Sequence, residues 1–266
     1  MKFWQDLNDK IVVVTGGSAG LGEQICYGAA RRGAIVVVCA RRINLIGKVK
    51  ETCEELSGKP AFAFQLDISD PENVDHVIER IQSEVGRPDV LVNNAGFGIF
   101  EDFLTTDLSI AHEMFRVNVL GMMVFTQKIA LQMAEANSGH IINIASMAGK
   151  MATPKSTIYS ATKFAVLGFS NALRLELKPL GIAVTTVNPG PIATEFFDKA
   201  DPSGEYLESM GLFVLDPKKL GTEVARTMGT TRREINRPGI MEAAARFYTV
   251  MPHLGDLLAG TIFNKK

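Results

Sequence analysis

Short continuous apolar runs alternate with amphipathic segments along most of this chain. The runs are rich in β-branched residues, which is typical of strands buried on both faces of a parallel sheet. They predict strands at Ile11–Val14, Ala34–Ala40, Ala61–Leu66, Asp89–Val92, His140–Ala145, Ile182–Val187 and, as a short last strand, Asn236–Ile240.

Apolar residues recur at helical spacing between these runs, and glycine or proline ends most of the segments. Because strand and helix alternate, we predict an α/β fold in one domain over residues 1–266, with a doubly wound parallel sheet of about seven strands and helices on both faces. The predicted helices are Leu21–Ala30, Ile43–Leu56, Pro71–Val85, Leu108–Glu135, Tyr159–Leu177, Lys218–Gly229 and Met241–Phe263, the last interrupted by Pro252.

Composition narrows the class of protein further. The net charge of -1 over 266 residues gives no sign of a nucleic-acid partner. Met1–Lys10 has no basic start followed by an apolar run, so we expect no signal peptide, and we expect no transmembrane segment. The three cysteines form no CxxC pair, so we expect buried, reduced thiols in a cytoplasmic protein, and no metal site.

A glycine-rich segment, Thr15–Gly22, joins the first strand to the first helix. Glycines permit a tight turn and a close approach of the backbone to a pyrophosphate, and a helix N-terminus favours its negative charge. A plain βα turn is the alternative, but the position between strand and helix favours a dinucleotide site. The expected cofactor contacts in this segment are Gly16, Ser18, Ala19, Gly20, Leu21 and Gly22.

Two arginines follow the second strand where NAD-preferring sites carry an acidic residue for the ribose. Arg41 and Arg42 come directly after Ala40, and a guanidinium pairs well with a 2′-phosphate. We therefore predict that NADP(H) is preferred over NAD(H), with Arg41 as the principal contact and Ser18 as a helper. The alternative is that both arginines are surface charges at the start of the next helix.

Polar residues also end the third and fourth strands, at the same predicted sheet edge. Asp67 is expected to meet the adenine together with the backbone of Ile68, although Asp67 also suits the N-cap of the next helix. Asn94-Ala95-Gly96 suits either a cofactor contact or an ordinary turn. Asn118 lies in an otherwise apolar helix, where it either bonds to backbone and kinks the helix or holds a water.

Tyr159 and Lys163 are four residues apart, so in a helix they lie on one face. An ammonium beside a phenol favours the phenolate and lowers the pKa of the phenol, which suits a general acid/base near pH 7. Taken alone, a solvated pair on a helix surface is the simpler interpretation.

Together these segments resemble the short-chain dehydrogenase/reductase family in its NADP-preferring form. Ser146 precedes Tyr159 by thirteen residues, as in the family. The resemblance covers about residues 10–195 and rests, in family order and spacing, on Thr15–Gly22, Asp67, Asn93–Gly96, Asn118, Ser146, Tyr159 with Lys163, and Asn188–Thr194.

The resemblance implies a Rossmann-type fold and a catalytic tetrad of Asn118, Ser146, Tyr159 and Lys163. Ser146 would polarise a substrate carbonyl, Tyr159 would supply its proton as hydride arrives, Lys163 would lower the Tyr159 pKa and hold the nicotinamide ribose, and Asn118 would fix a water linking Lys163 to solvent. The family also implies a homodimer or homotetramer. Further cofactor contacts implied near the nicotinamide are Pro189, Gly190, Ile192 and Thr194.

Apolar residues dominate residues 195–215, which we expect to form a substrate lid over an apolar pocket. Residues 241–266 are a C-terminal helical extension, which packs on its own domain or a partner subunit, covers the cleft, or touches a membrane surface; its few basic residues disfavour the last role. The expected substrate contacts are Ser146, Tyr159, Phe97, Met147 and Phe196.

The sequence therefore predicts an NADP(H)-dependent oxidoreductase that interconverts a ketone or aldehyde and an alcohol, on an apolar small molecule. An enone reductase or epimerase on the same scaffold is one alternative. A cofactor-binding regulator without catalysis is another, but such regulators typically lose the tyrosine or the lysine. Substrate identity and the physiological direction do not follow from these patterns.

Overall fold

The computed structural model describes Trp4 and residues 6–202 and 204–261. Its sheet has seven parallel strands in the order β3-β2-β1-β4-β5-β6-β7, which confirms the predicted doubly wound fold. The strands are Ile11–Thr15 (β1), Ile35–Ala40 (β2), Phe62–Gln65 (β3), Val90–Asn93 (β4), Gly139–Ile144 (β5), Ile182–Pro189 (β6) and Glu234–Arg237 (β7).

Each predicted helix is present, although the predicted Met241–Phe263 is divided at Met251, and its residues 262 and 263 lie outside the described residues. Two short helices within the predicted lid, residues 195–215, were not predicted. Helices cover both faces of this sheet. They are Gly20–Ala30 (α1), Ile43–Ser57 (α2), Pro71–Glu84 (α3), Leu108–Phe115 (α4), Met122–Glu135 (α5), Thr157–Leu177 (α6), Phe196–Ala200 (α7), Glu205–Met210 (α8), Pro217–Thr227 (α9), Gly239–Val250 (α10) and Pro252–Thr261 (α11).

Alternate residues of each strand supply two separate hydrophobic cores. Val12 and Val14 of β1 pack with Ile25 of α1 on one face of the sheet. Val13 packs with Phe125 of α5 on the other face. All five side chains are fully buried, and such burial is worth about 1.5–3 kcal/mol for each side chain. The β-branched run of β1 therefore forms a strand that is buried on both of its faces.

The predicted last strand, Asn236–Ile240, is wrong in its bounds. β7 runs from Glu234 to Arg237, and α10 begins at Gly239. Pro238 has no N–H to donate to a neighbouring strand, so the chain leaves the sheet there.

The predicted helix Leu108–Glu135 is continuous but not uniform. A π-helical turn, Arg116–Gly121, separates α4 from α5. Contrary to our expectation from sequence, this helix is long and apolar enough to cross a membrane by length and composition alone. Core helices meet the same criteria, and Phe125 and Ile129 are fully buried, so the evidence for a membrane span is weak.

The order of the strands reverses between β1 and β4, and this places a crevice at their carboxyl ends. β1 ends at Thr15, β4 at Asn93, β5 at Ile144 and β6 at Pro189, all at one edge of the sheet. Ligands of open α/β sheets bind at such a point, so this edge is where a site is expected.

Candidate active site

The turn after β1 is folded so tightly that side chains are excluded from it. Gly16 has φ +65°, and a Cβ there would lie 2.8 Å from the Cα of Ala95. A Cβ on Gly22 would lie 2.3 Å from the carbonyl oxygen of Gly16. Ala19 at the N-cap of α1 supplies no side-chain hydrogen bond, so the first N–H groups of α1 are left for another partner. A cofactor pyrophosphate fits this cradle.

Asn94 holds this turn in place. Its Nδ2 donates to the carbonyl oxygens of Thr15 (3.1 Å) and Gly16 (3.0 Å). The hydroxyl of Thr15 accepts the N–H groups of Asn94 and Ala95, each at 3.1 Å. Asn94 and Ala95 were predicted as cofactor contacts, whereas the hydrogen bonds by which Thr15 and Asn94 hold the turn were not predicted.

The two arginines after β2 differ in their surroundings. Arg42 donates to the Ser18 hydroxyl from Nε (3.3 Å) and Nη2 (3.0 Å). Both Arg41 and Arg42 are exposed, and the backbone carbonyl of Arg41 accepts a hydrogen bond from Gln65. The structure therefore brings Arg42, rather than the favoured Arg41, against the predicted helper Ser18.

Asp67 after β3 is ionised at the same edge. Its Oδ1 accepts from the backbone N–H (3.0 Å) and the hydroxyl (2.7 Å) of Ser69. Burial opposes its ionisation, but these bonds and the charges of Arg41 and Arg116 outweigh it and lower the pKa of Asp67. The alternative interpretation, in which Asp67 is the N-cap of α3, is wrong.

The N-cap of α3 is instead Asp70, which accepts from the N–H groups of Glu72 (3.0 Å) and Asn73 (3.3 Å). Ile68, predicted to contribute its backbone, lies against the π-helical turn: a Cβ on Gly121 would be 2.1 Å from the Ile68 carbonyl oxygen. This close approach requires glycine at position 121.

Asn118 lies in the π-helical turn and binds the chain after β4. Its Oδ1 accepts the N–H of Phe97 at 3.0 Å, and its Nδ2 donates to the carbonyl oxygen of Phe97 at 2.8 Å. Nδ2 also donates to the Thr162 hydroxyl at 3.2 Å. The sequence left two roles open for Asn118, a bond to backbone or the holding of a water. The structure shows a bond to backbone, and the partner is Phe97 in the loop after β4 rather than a residue of the same helix.

Ser146 follows β5 and is held by two neighbours. Its hydroxyl oxygen accepts the N–H of Ala148 at 3.1 Å, and the hydroxyl lies 3.4 Å from the carbonyl oxygen of Pro189. The bond from the Ser146 hydroxyl to Pro189 is long and therefore weak, so the hydroxyl could donate its proton to another oxygen instead.

Lys163 and Tyr159 lie on α6 and meet in a dry environment. The Lys163 Nζ is 5.6 Å from the centroid of the Tyr159 ring and donates to the Ile144 carbonyl oxygen at 3.1 Å. Burial lowers the pKa of Lys163 to about 8. A charge that is expensive to bury is a mark of functional sites more often than of stability alone.

Gly96 joins the parts of the predicted tetrad. A Cβ there would lie 3.0 Å from the Asn118 Oδ1 and 3.8 Å from the Lys163 Nζ. Thr162, which Asn118 contacts, directly precedes Lys163 in α6. The four side chains of the predicted tetrad are each less than one tenth exposed.

Aromatic rings cover Tyr159. The rings of Phe100 and Phe196 lie 5.5 Å and 5.8 Å from it, centroid to centroid, and Phe197 packs on Phe100 at 6.1 Å. Phe196 was predicted as a substrate contact and Phe197 as an apolar residue of the lid, whereas Phe100 was not identified. The signal for Phe100 was its place after a strand end, two residues beyond Gly98.

The other two predicted substrate contacts, Phe97 and Met147, are held by other parts of the structure. Phe97 is half-buried and is fixed through its backbone. Met147 is buried in a small core with Met151 and Ala245, which brings α10 against the turn that follows Ser146. This packing agrees with an extension that lies on its own domain.

The predicted lid, residues 195–215, contains short helices and is tied at its base. The Ala193 N–H donates to the Leu215 carbonyl at 3.0 Å, and the Leu215 N–H donates to the Pro191 carbonyl at 2.8 Å. Ile192 and Leu215 also form an isolated parallel bridge. The Phe100 N–H donates to the Ala200 carbonyl oxygen at 2.9 Å, which ties this segment to the loop that follows β4.

The predicted nicotinamide-end residues lie where this lid leaves the sheet. The Gly190 N–H donates to the Arg237 carbonyl at 2.7 Å, so β7 fixes the turn after Pro189. Within the described part of the chain, no group of three or more His, Cys, Asp or Glu residues is arranged to hold a metal ion.

Comparison with known proteins gives concordant results. Residues 10–204 match the family described as short chain dehydrogenase. The human protein "Dehydrogenase/reductase SDR family member 7" is 32% identical over 210 residues, which cover 77% of this chain and 62% of that protein. "Farnesol dehydrogenase" of Aedes aegypti is 33% identical over 230 residues, covering 84% of this chain and 91% of that protein.

Solved structures agree with these relatives. A short-chain dehydrogenase from Sphingobium yanoikuyae in complex with NADPH superposes with a TM-score of 0.80 at 25% identity, over 94% of this chain and 95% of that one. The chain spans about three fifths of the length of the human relative. With a family match over most of its length and the same fold, this chain belongs to the short chain dehydrogenase family.

Proposed function

We propose that this protein is an NADP(H)-dependent oxidoreductase that interconverts a ketone or aldehyde and the corresponding alcohol. The observation that carries the proposal is that Asn118, Tyr159 and Lys163 meet around Gly96 and α6, and that Lys163 binds the carbonyl oxygen of Ile144, two residues before Ser146. Family membership supports the same class of reaction.

The cofactor, when bound, would supply or accept the hydride. The glycine cradle and the N-terminus of α1 would bind its pyrophosphate, and Ser18 with Arg41 and Arg42 would bind the 2′-phosphate. Asp67 and Ile68 would meet the adenine. The residues that would hold the nicotinamide end are Pro189, Gly190, Ile192 and Thr194, with Gly96 and Lys163.

The chain's own residues would manage the proton. The Ser146 hydroxyl would orient the carbonyl oxygen, and the Tyr159 phenol would donate its proton to that oxygen in reduction and take it back in oxidation. With a pKa of about 8, Lys163 is mainly cationic at pH 7, so its charge would favour the phenolate left behind. Asn118 would hold the Gly96–Phe97 backbone against this group.

An apolar substrate is the class that the surroundings favour. Phe100 and Phe196 stack around Tyr159, so a substrate carbonyl reaching the phenol would pass between aromatic rings. The similarity to a protein named farnesol dehydrogenase supports an alcohol or carbonyl with an apolar chain.

Replacing Tyr159 tests the reaction. Tyr159→Phe should abolish carbonyl reduction across a panel of apolar ketones and aldehydes while leaving the Kd for NADPH nearly unchanged. Tyr248→Phe is the matched control, because the Tyr248 hydroxyl binds Asp256 on α11. Residual turnover above a few per cent would remove Tyr159 from proton transfer. NADPH binding by the wild type without turnover on any carbonyl, enone or alcohol would favour a cofactor-binding regulator.

Cofactor choice is tested by titration of NADPH against NADH, without substrate. We expect tighter NADPH binding, and we expect Arg41→Ala and Arg42→Ala to weaken NADPH binding far more than NADH binding. The position of Arg42 beside Ser18 supports the larger effect at Arg42. Equal losses for both cofactors would mean that neither arginine reads the 2′-phosphate.

Self-association through α5 and α6 is the proposed quaternary state, as a homodimer or homotetramer. Leu120 in the π-helical turn, Leu131 on α5, and Phe164 and Leu175 on α6 are each about half exposed or more. Exposed apolar patches of this kind mark interaction sites, and homo-oligomers usually form closed symmetric assemblies. Light scattering should give a dimer or tetramer mass, and Leu131→Glu should reduce it; a monomeric wild type would contradict this.

A reducing compartment is the proposed location, namely the cytoplasm. Cys26, Cys39 and Cys53 are buried and free, and burial raises the pKa of each thiol. Such thiols are inert and suit a cytosolic protein. Localisation of a tagged full-length protein tests this.

A further inference from the structure

A carboxylate from the lid lies on the arginine that faces Ser18. The Nη1 of Arg42 is 3.2 Å from the Oε2 of Glu195, while its Nε and Nη2 bind the Ser18 hydroxyl. Glu195 is the N-cap of α7 and the first residue of the lid. The contact joins residues 153 positions apart in the chain, so it ties the segment after β2 to the first residue of the predicted lid.

The base of the lid also lies on the phosphate cradle. A Cβ on Gly20, which has φ +60°, would lie 3.1 Å from the Cγ2 of Thr194. Thr194 directly precedes Glu195, so the lid base covers the cradle on the same side as the Arg42–Glu195 pair. Phe196, the next residue, contacts the ring of Tyr159. One short segment therefore touches the cradle, Arg42 and the proposed proton donor.

We propose that Glu195 is an internal counter-ion that occupies Arg42 until the 2′-phosphate of NADP(H) displaces it. The inference rests on the proposed function, in which Arg42 and Ser18 read that phosphate. A carboxylate and a phosphate are both anions that pair with a guanidinium through its N–H groups, so they compete for one partner.

Glu195 is by this account a residue that sets cofactor specificity. NADPH must break the Arg42–Glu195 pair to bind Arg42, whereas NADH, which has no 2′-phosphate, leaves the pair intact. The pair therefore weakens NADPH binding and not NADH binding, and it couples the cofactor's phosphate to the segment that carries Phe196.

The size of the effect follows from the exposure of the pair. The Arg42 and Glu195 side chains are 52% and 65% exposed, and water and salt screen such ion pairs. Removing the carboxylate should therefore tighten NADPH binding by about two- to five-fold, the range that exposed ion pairs contribute.

The test measures binding of NADPH, NADH and adenosine 2′,5′-bisphosphate to four variants. Glu195→Gln should tighten NADPH and the bisphosphate and leave NADH unchanged. Asp198→Asn is the matched control, because Asp198 is an exposed carboxylate on the same short helix. Arg42→Ala should lose the NADPH preference, and adding Glu195→Gln to Arg42→Ala should give no further gain.

Hydrogen exchange in the cofactor-free protein gives a second readout. Glu195→Gln and Arg42→Ala should both speed exchange of the α7 amides, while Asp198→Asn should not.

The outcomes separate the two proposals. If the wild type prefers NADPH and Arg42→Ala abolishes that preference, the proposed cofactor choice stands; equal behaviour of Glu195→Gln and Asp198→Asn would then overturn the counter-ion proposal alone. Tighter NADH binding by the wild type would overturn both. Tighter NADPH binding by Glu195→Gln with unchanged α7 exchange would keep the competition and overturn the coupling to the lid.

Discussion

The ammonium nitrogen of Lys163 donates to the backbone carbonyl oxygen of Ile144, 3.1 Å away, at the end of β5. Lys163 is only 7% exposed, and burial lowers its pKa to about 8 from an ordinary value of 10.5. The buried ammonium of Lys163 lies beside Tyr159, where its charge destabilises the fold but is suited to proton transfer.

Replacing Lys163 should exchange activity for stability. Below pH 8 Lys163 is protonated in both the folded and the unfolded chain, and burying its charge destabilises the fold by about 3 kcal/mol. Between pH 8 and 10.5 Lys163 is protonated only in the unfolded chain, so this destabilisation decreases as the pH rises. Lys163→Met should raise the free energy of unfolding at pH 7 by about 2 kcal/mol, since it also loses one hydrogen bond, and should abolish turnover.

Denaturant titrations at pH 7 and pH 10 measure this difference. The increase in unfolding free energy of Lys163→Met over wild type should be smaller at pH 10 than at pH 7. The control Lys178→Met, at an exposed position, should show no such dependence on pH. A variant that is less stable than wild type at pH 7 would show that the buried ammonium is net favourable.

The main elements were predictable because each has a local cause. The valine run of β1 is buried on both faces, and the glycines at 16 and 22 occupy positions where a Cβ would collide with backbone. The end of β5 at Ile144 then places Ser146 just beyond the carboxyl edge of the sheet. These are properties of short segments, which a sequence displays directly.

The parts that sequence reasoning missed depend on distant partners. Asn118 binds a residue 21 positions away, and Arg42 meets Glu195 across 153 positions. Apolar periodicity does not separate a π-helical turn from the α-helix around it, so the break at Arg116–Gly121 was not visible. Which of two adjacent arginines faces Ser18 depends on side-chain direction, which composition does not encode.

Asn118 should stabilise the segment that carries Gly96. Asn118→Ala removes three hydrogen bonds and leaves the N–H and carbonyl of Phe97 without these partners, which should cost about 3 kcal/mol of unfolding free energy. The exposed Asn44→Ala on α2 is the control and should cost little. Hydrogen exchange at the Phe97 amide should quicken with kcat falling; a protected amide would place its hydrogen bond elsewhere.

His140 should make the protein sensitive to acid. It is buried, its Nδ1 accepts the N–H of Gly229 at 3.0 Å, and its Nε2 lies 2.9 Å from the Thr185 hydroxyl. Burial lowers the pKa of His140 to about 3, so below pH 6.5 the unfolded chain binds a proton that the folded chain does not. Stability should therefore fall as the pH drops from 6.5 towards 3, by about 1.4 kcal/mol per pH unit.

Denaturant titrations at pH 7 and pH 5 test the role of His140. The wild type should lose about 2 kcal/mol more than His140→Asn, whose side-chain oxygen can still accept from Gly229. His76→Asn, at an exposed position on α3, should behave as the wild type. Equal losses in wild type and His140→Asn would assign the acid sensitivity to other groups.

Lys150 should fix the C-terminal helix α10 against the turn that follows Ser146. Its Nζ lies 2.6 Å from the Oε2 of Glu234 and 2.9 Å from the Oε2 of Glu242, and all three side chains are less than a quarter exposed. Burial opposes ionisation of Glu234, but hydrogen bonds from Lys150 and Asn236 outweigh it and lower its pKa.

Lys150→Met leaves two half-buried carboxylates without their ammonium partner, so it should lower the free energy of unfolding at pH 7 by about 2 kcal/mol. The control Lys50→Met breaks the more exposed Lys50–Glu54 pair and should lower it by less than about 0.5 kcal/mol. The cost should vanish as the pH falls below 4.5 and Glu234 takes up its proton. Because the turn at Met147 packs on α10, kcat should fall while the Kd for NADPH holds. Unchanged kcat with lost stability would leave α10 a purely structural support.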